Sequence, residues 1–251
     1  MYRTLSSEKL VETLDRLKLR IEERFPGAGL ARVCAELRDV TAAASARADA
    51  LQRPNLGLRA IMAGLVMAGL GLFAYVLSVI DIKRDADSLS GVLQGIDASF
   101  NIVVLLGAAL FFLATIEERL KRRKALKDLH ALRAIVHVID MHQLTKDPVS
   151  TTAAGPATPS SPERKLSAFE LMRYLDYCAE MLSLSAKAAA LYGQSLRDAI
   201  VIETVSEIEQ LTSNLSQKVW QKIMILQMGE GRVVEAAAPP AKTVAPAGTR
   251  A

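Results

Sequence analysis

IMAGLVMAGLGLFAYVLSVI, from Ile61 to Ile80, and ASFNIVVLLGAALFFLATI, from Ala98 to Ile116, lie a short loop apart in the middle of an otherwise polar chain. The first has no charged side chain, and its Leu, Ile, Val and Phe residues contribute about 0.3 to 0.6 kcal/mol each towards insertion into a bilayer. A helix of about 20 residues spans about 30 Å, the depth of a hydrocarbon core. In the second stretch Asp97 stands just before the start and Asn101 one turn in. A carboxylate at the bilayer centre would cost about 2.5 to 3.5 kcal/mol, so Asp97 is placed at the headgroup level. The pattern predicts an all-α protein built on a two-helix transmembrane hairpin over residues 59–117, with the lipid bilayer as partner. A buried hairpin in a soluble protein is the alternative, set aside because few soluble cores need two uncharged runs of this length.

Orientation follows from the flanking cations. Arg119, Lys121, Arg122, Arg123, Lys124 and Lys127 follow the second stretch and Arg47, Arg53 and Arg59 precede the first, whereas the loop between them has only Lys83 and Arg84. The positive-inside rule then places both termini in the cytoplasm. The six cations after Ile116 are candidates for contact with lipid headgroups, at about 1 kcal/mol each for anionic lipid. The net charge of +4 is concentrated at this boundary, so no nucleic-acid partner is expected. No cleavable signal is expected either, because Met1 to Leu10 lead into a charged amphipathic segment, and there is no myristoylation start or prenylation box. Cys34 and Cys178 have no CxxC partner and read as reduced, small apolar residues.

Outside the apolar pair the chain reads as helices. Residues 1–58 predict a cytoplasmic hairpin: Leu10, Leu14, Leu17 and Ile21 alternate at four and three, Phe25-Pro26-Gly27 interrupts, and Leu30, Val33, Leu37, Val40, Ala44 and Leu51 resume, with Arg47 breaking the second stripe. Residues 118–147 continue the second span as a stalk, on a heptad-like stripe of Ala125, Leu129, Leu132, Val136 and Ile139 that ends near Leu144 before Asp147-Pro148. Residues 148–164, rich in Ser, Thr, Ala, Gly and Pro, predict a flexible linker long enough for the next module to fold back on the stalk. Residues 165–228 predict a second hairpin, with Phe169, Met172, Leu175, Ala179, Leu182, Ala186 and Ala189 on one helix, Gly193 in the turn region, and Val201, Val205, Ile208, Leu215, Val219 and Leu226 on the other. Residues 229–251 predict a disordered tail.

Chemistry is sparse. His130, His137 and His142 fall in the stalk beside Asp128 and Asp140, but they lack the i, i+4 pair of a helical zinc motif, so no metal site is expected. Asp81, Asp85 and Asp87 in the loop do not match a calcium-loop spacing. Phosphate-loop, dinucleotide-binding and nucleophile-elbow motifs are all missing, so neither an enzyme nor a cofactor is expected. On the first span Ala60, Gly64, Ala68 and Gly71 form a small-residue stripe suited to close helix packing, and Asn101 and Ala108 lie on a related face of the second. No acidic residue lies deep in either span to form a selectivity ring.

LRAIVHVIDMHQLTKDP (Leu132–Pro148), RYLDYCAEMLSLSAKAAALY (Arg173–Tyr192) and IEQLTSNLSQKVWQKIMIL (Ile208–Leu226) resemble segments of uncharacterised two-span bacterial membrane proteins over about the C-terminal half of the chain. The resemblance implies a bacterial inner-membrane location and carries no activity. It directs attention to His137, Asp140, His142, Tyr177 and Trp220 as a protein-contact surface, with Met141, Gln143, Lys146, Asp147 and Lys222 beside them. From the residues themselves, which mix polar groups with a lone tryptophan, the stalk end and the C-terminal hairpin are expected to dock on each other, with coupling between His137 and Trp220 as the test.

The expected function is a non-enzymatic membrane scaffold, acting as a homo-oligomer or with another membrane protein. A small oligomeric channel or transport accessory is the alternative, although the Gly-Met-Asn motif of two-span divalent-ion channels is missing. A signalling adaptor without its own kinase is the third.

Overall fold

A computed structural model describes residues 4–52, 54–79, 89–148, 158–161 and 166–237. Every regular element among them is an α-helix: α1 (Ser7–Arg24), α2 (Gly29–Gln52), α3 (Leu56–Val79), α4 (Leu89–Leu144), α5 (Ala168–Ser195) and α6 (Ala199–Ala237). The all-α class is therefore observed. Among the described residues no helix is long and apolar enough to cross a membrane. The loop carrying Asp81, Asp85 and Asp87, most of the linker and the end of the tail lie outside the described residues.

α1 begins where the Ser6 side chain accepts from Lys9 N–H, and it ends at Phe25-Pro26-Gly27. Gly27 has φ +75°, a left-handed conformation that only glycine adopts without strain, and this lets α2 reverse on α1. Leu10, Leu14, Leu17 and Ile21 pack against α2, whose inward face is Leu30, Cys34, Leu37, Thr41 and Ala44. The 4-3-4 spacing puts all four α1 residues on one stripe, and burying each contributes about 1.5 to 3 kcal/mol.

α5 is the central helix. A capping box starts it, in which Ser167 Oγ accepts from Glu170 N–H and Glu170 Oε2 accepts from Ser167 N–H. Its buried residues, among them Leu171, Tyr174, Cys178, Met181, Leu182, Ala188, Ala189 and Tyr192, lie on more than one face, as expected of a helix surrounded by others. It meets α1, α2, α4 and α6. Phe25, in the α1–α2 turn, packs edge-on against Tyr174 (5.5 Å) and Tyr177 (6.2 Å), closing that end. Phe169, expected on the packed face, is exposed beneath the Arg24 guanidinium instead.

α4 runs unbroken for 56 residues. Its second half buries Ala125, Leu129, Leu132, Ile135, Val136 and Ile139 against α2, α5 and α6. α6 opposes it with Val201, Val205, Ile208, Leu215, Val219, Ile223 and Leu226, a near-heptad seam. The N-terminal hairpin, the stalk and the C-terminal hairpin thus share one core. α6 also continues to Ala237, past the expected end at Met228, since extending an existing helix fixes one residue per hydrogen bond gained.

The apolar half of the molecule is arranged differently. Among the described residues α3 touches α4 only sparsely, and large apolar side chains on both helices face outward, including Ile61 (64% exposed), Met67, Tyr75, Leu105 (70%) and Phe111 (70%). A methyl group added at Gly64, Gly71 or Gly107 would meet no atom within 4 Å. Ala60, Ala68, Asn101 and Ala108 are likewise exposed, so the small-residue stripe has no close neighbour among the described residues.

Candidate functional site

The densest polar construction lies where α2, α3 and α4 meet, at the border between the apolar pair and the bundle. Glu117, Lys121, Lys124 and Asp128 follow one another on α4 at 4-3-4 spacing and so share a stripe. Glu117 is 8% exposed. It accepts from the Asn55 backbone N–H (3.1 Å) and Arg59 Nε (2.8 Å), and it pairs with Lys121 Nζ (2.9 Å). Arg59 foremost, then Lys121 and the Asn55 N–H, hold its carboxyl down to about 2. Asn55 also caps α3, its side-chain oxygen accepting from Leu58 N–H at 3.1 Å.

About three turns along, Asp128 is 6% exposed and joins three helices. Its Oδ2 accepts from Tyr192 Oη of α5 (2.5 Å) and pairs with Arg47 Nε of α2 (2.9 Å). Burial, then the Asp128 hydrogen bond, push the Tyr192 hydroxyl well above the usual phenol range. Arg122 Nε meets Asp198 Oδ2 at 2.7 Å, while Asp198 Oδ1 caps the start of α6 by accepting from Ile200 and Val201 N–H. Between Glu117 and Asp128 lies a cavity of about 510 Å³, with Arg47, Lys121, Lys124 and Lys127 in its wall alongside the apolar Leu58 and Leu120.

Of the six cations expected at the lipid surface, Lys121 and Arg122 are thus drawn into ion pairs. Arg119 lies over the Phe112 ring at 5.7 Å, and Arg123, Lys124 and Lys127 are exposed. Sequence reasoning missed Glu117, Asn55 and Tyr192, counted Arg47 only among the flanking cations and as a break in a stripe, and weighed Asp128 only beside the stalk histidines. The signal was present in Arg47, a charge standing in an apolar stripe, because such a position requires a partner.

The far end of the bundle holds the expected protein-contact residues. His142 Nδ1 is 3.2 Å from Tyr174 Oη, and burial, then Lys146 and Arg32, lower the imidazole's pKa. Lys222 Nζ donates to the Gln143 carbonyl (2.8 Å) and side-chain oxygen (3.2 Å), capping the end of α4, while Gln143 Nε2 donates to Asp140 Oδ1 at 2.6 Å. Tyr177 is buried against Phe25, with Arg20 and Arg173 over its ring. The docking of stalk on C-terminal hairpin therefore runs through the apolar seam, Tyr174 and Lys222. His137 and Trp220 are both exposed, Trp220 at 55%.

No family model matches the chain, and no curated protein or solved structure matches it either. The chemistry of the site stands on its geometry alone. Burial pushes both cysteine thiols up to about 12, which suppresses thiolate chemistry at Cys34 and Cys178. Among the described residues no three His, Cys, Asp or Glu side chains converge as metal ligands. The α2–α3–α4 junction can hold an anion, since its two carboxylates are already engaged by donors of the chain.

Proposed function

We propose that the chain is a two-span protein of the bacterial inner membrane with both termini in the cytoplasm, and that its helical bundle is a non-enzymatic scaffold assembling with a second copy. The observation that carries the reading is a contrast within one molecule. The bundle buries most of its Leu, Ile and Val residues and leaves a minority such as Leu19, Leu144 and Ile202 exposed, while α3 and the first half of α4 bury none of their described side chains and leave Ile61, Leu65, Leu105, Phe111 and Phe112 uncovered. Water would penalise that surface by about 25 cal/mol per Å² of apolar area, whereas hydrocarbon does not. Over the full sequence the uncharged run continues to Ile80, one residue beyond the end of α3. The resemblance to two-span bacterial proteins and the basic residues flanking both apolar stretches support the same orientation.

Assembly is supported by α6, where Trp220, Met224 and Met228 stand at i, i+4 and i+8 and are all exposed. Aromatic and methionine side chains on one exposed helical stripe are the composition of a protein interface. Light scattering of the detergent-solubilised full chain tests the scaffold, after subtraction of detergent mass. A complex of two or more chains is expected, and a strictly monomeric mass would remove the homo-oligomer.

A further inference from the structure

The cavity between α2, α3 and α4 has an imbalance of charge that its own contacts do not neutralise. Four cations, Arg47, Lys121, Lys124 and Lys127, face two carboxylates, Glu117 and Asp128. Glu117 is engaged by Asn55, Arg59 and Lys121, and Asp128 by Arg47 and Tyr192. Lys124 and Lys127 are exposed and have no carboxylate within ion-pair distance among the described residues. The volume, about 510 Å³, falls within the range of about 300 to 1,000 Å³ usual for small-molecule sites.

The wall is also amphipathic. Leu58 and Leu120 line it, and Leu58 belongs to the first turn of α3, whose later turns carry the outward-facing Ile61 and Leu65. A molecule with a phosphate ester held by Lys124 and Lys127 would lay an apolar portion along α3 and the adjoining part of α4. We propose that this cavity binds the phosphate ester of an anionic phospholipid, with Lys124 and Lys127 as its charge partners and Leu58 and Leu120 against the start of its chains. The proposal rests on the membrane reading above and adds a defined ligand site to it.

Native mass spectrometry of the detergent-purified full chain tests the site, with phosphatidylglycerol, phosphatidylcholine and glycerol phosphate as separate probes. Lys124→Gln/Lys127→Gln is compared with Lys187→Gln/Lys218→Gln, an equal loss of charge at exposed positions elsewhere on the bundle. Phosphatidylglycerol is expected to bind in preference to phosphatidylcholine, and about thirty-fold more weakly to the first variant, which is about 2 kcal/mol at 1.4 kcal/mol per decade. Binding to the second variant is expected to match the unaltered chain. Equal weakening in both variants, or equal binding of the two lipids, would overturn the proposal. Glycerol phosphate binding as tightly as the lipid would overturn the lipid assignment in favour of a soluble phosphate ester. A chain that stays dispersed without detergent removes the membrane reading instead, while the glycerol phosphate arm still reports on the cavity.

Discussion

Tyr192 Oη lies 2.5 Å from Asp128 Oδ2, a hydrogen bond across 64 residues of sequence that ties the end of α5 to the middle of α4. Both side chains are buried, and Arg47 of α2 completes the cluster from a more exposed position. Asp128→Ala leaves the Tyr192 hydroxyl without this acceptor and is expected to lower stability by about 1 to 3 kcal/mol. Arg47→Gln should cost about 1 kcal/mol or less, because that partner is half in solvent. Thermal unfolding of the variants checks the order, and an Asp128→Ala chain as stable as the original would contradict it.

Acid should destabilise the fold in two separate windows. The imidazole of His142, packed against Tyr174 with Lys146 and Arg32 nearby, has a pKa below its ordinary 6.5 in the fold, so the unfolded chain binds the extra proton more readily. Its contribution is intact above about 6.5 and is lost as pH falls below that value. Glu117 is held near 2 against an ordinary 4.5, so its contribution is present above 4.5 and disappears as pH falls towards 2. Because Arg59 is largely exposed, the second loss should be about 1 to 2 kcal/mol. His142→Gln should abolish the first window and Glu117→Gln the second, as read from unfolding midpoints against pH.

Gly29 faces the same histidine. A Cβ at that position would lie 2.9 Å from His142 Cε1, too close unless the ring moves away from Tyr174. Gly29→Ala is therefore expected to cost about 1 kcal/mol through the lost hydrogen bond, less what alanine recovers from the unfolded chain. The sharper readout is the His142 pKa by NMR, which should rise towards its ordinary value as the ring gains solvent. An unchanged titration would show that the ring does not move.

Substitution of Trp220 distinguishes folding from the proposed assembly. Its exposure predicts that Trp220→Ala changes stability by no more than about 0.5 kcal/mol. The same substitution combined with Met224→Ser should shift the solubilised complex towards a single chain. A large loss of stability with unchanged mass would place Trp220 in the core instead.

Periodicity made the bundle legible. The 4-3 spacings of Leu10 to Ile21, Ala125 to Ile139 and Val201 to Leu226 correspond to buried stripes, and Pro26-Gly27 marks a real reversal. Less legible was which stripes meet, because apolar seams of similar spacing are interchangeable until particular side chains distinguish them. Phe25 against Tyr174, and Lys222 on the end of α4, are contacts between distant segments that no local pattern announces. The Ser167 and Glu170 pair marks the start of α5 through a capping spacing that the sequence reading, built on hydrophobic periodicity, passed over. At the junction, Lys121 reads as one of the cations flanking a span and nothing in the pattern singles out Glu117, and only the position of Asn55 and Arg59 distinguishes a structural hub from a solvated surface.

The central claim is that hydrocarbon covers the outward-facing apolar side chains of α3 and the first half of α4. Washing membranes from cells expressing the full chain with alkaline carbonate and high salt, then asking whether the protein remains with the lipid, tests this most directly. The account predicts retention in the membrane and release only by detergent. Release into the wash as a dispersed, folded protein would contradict it.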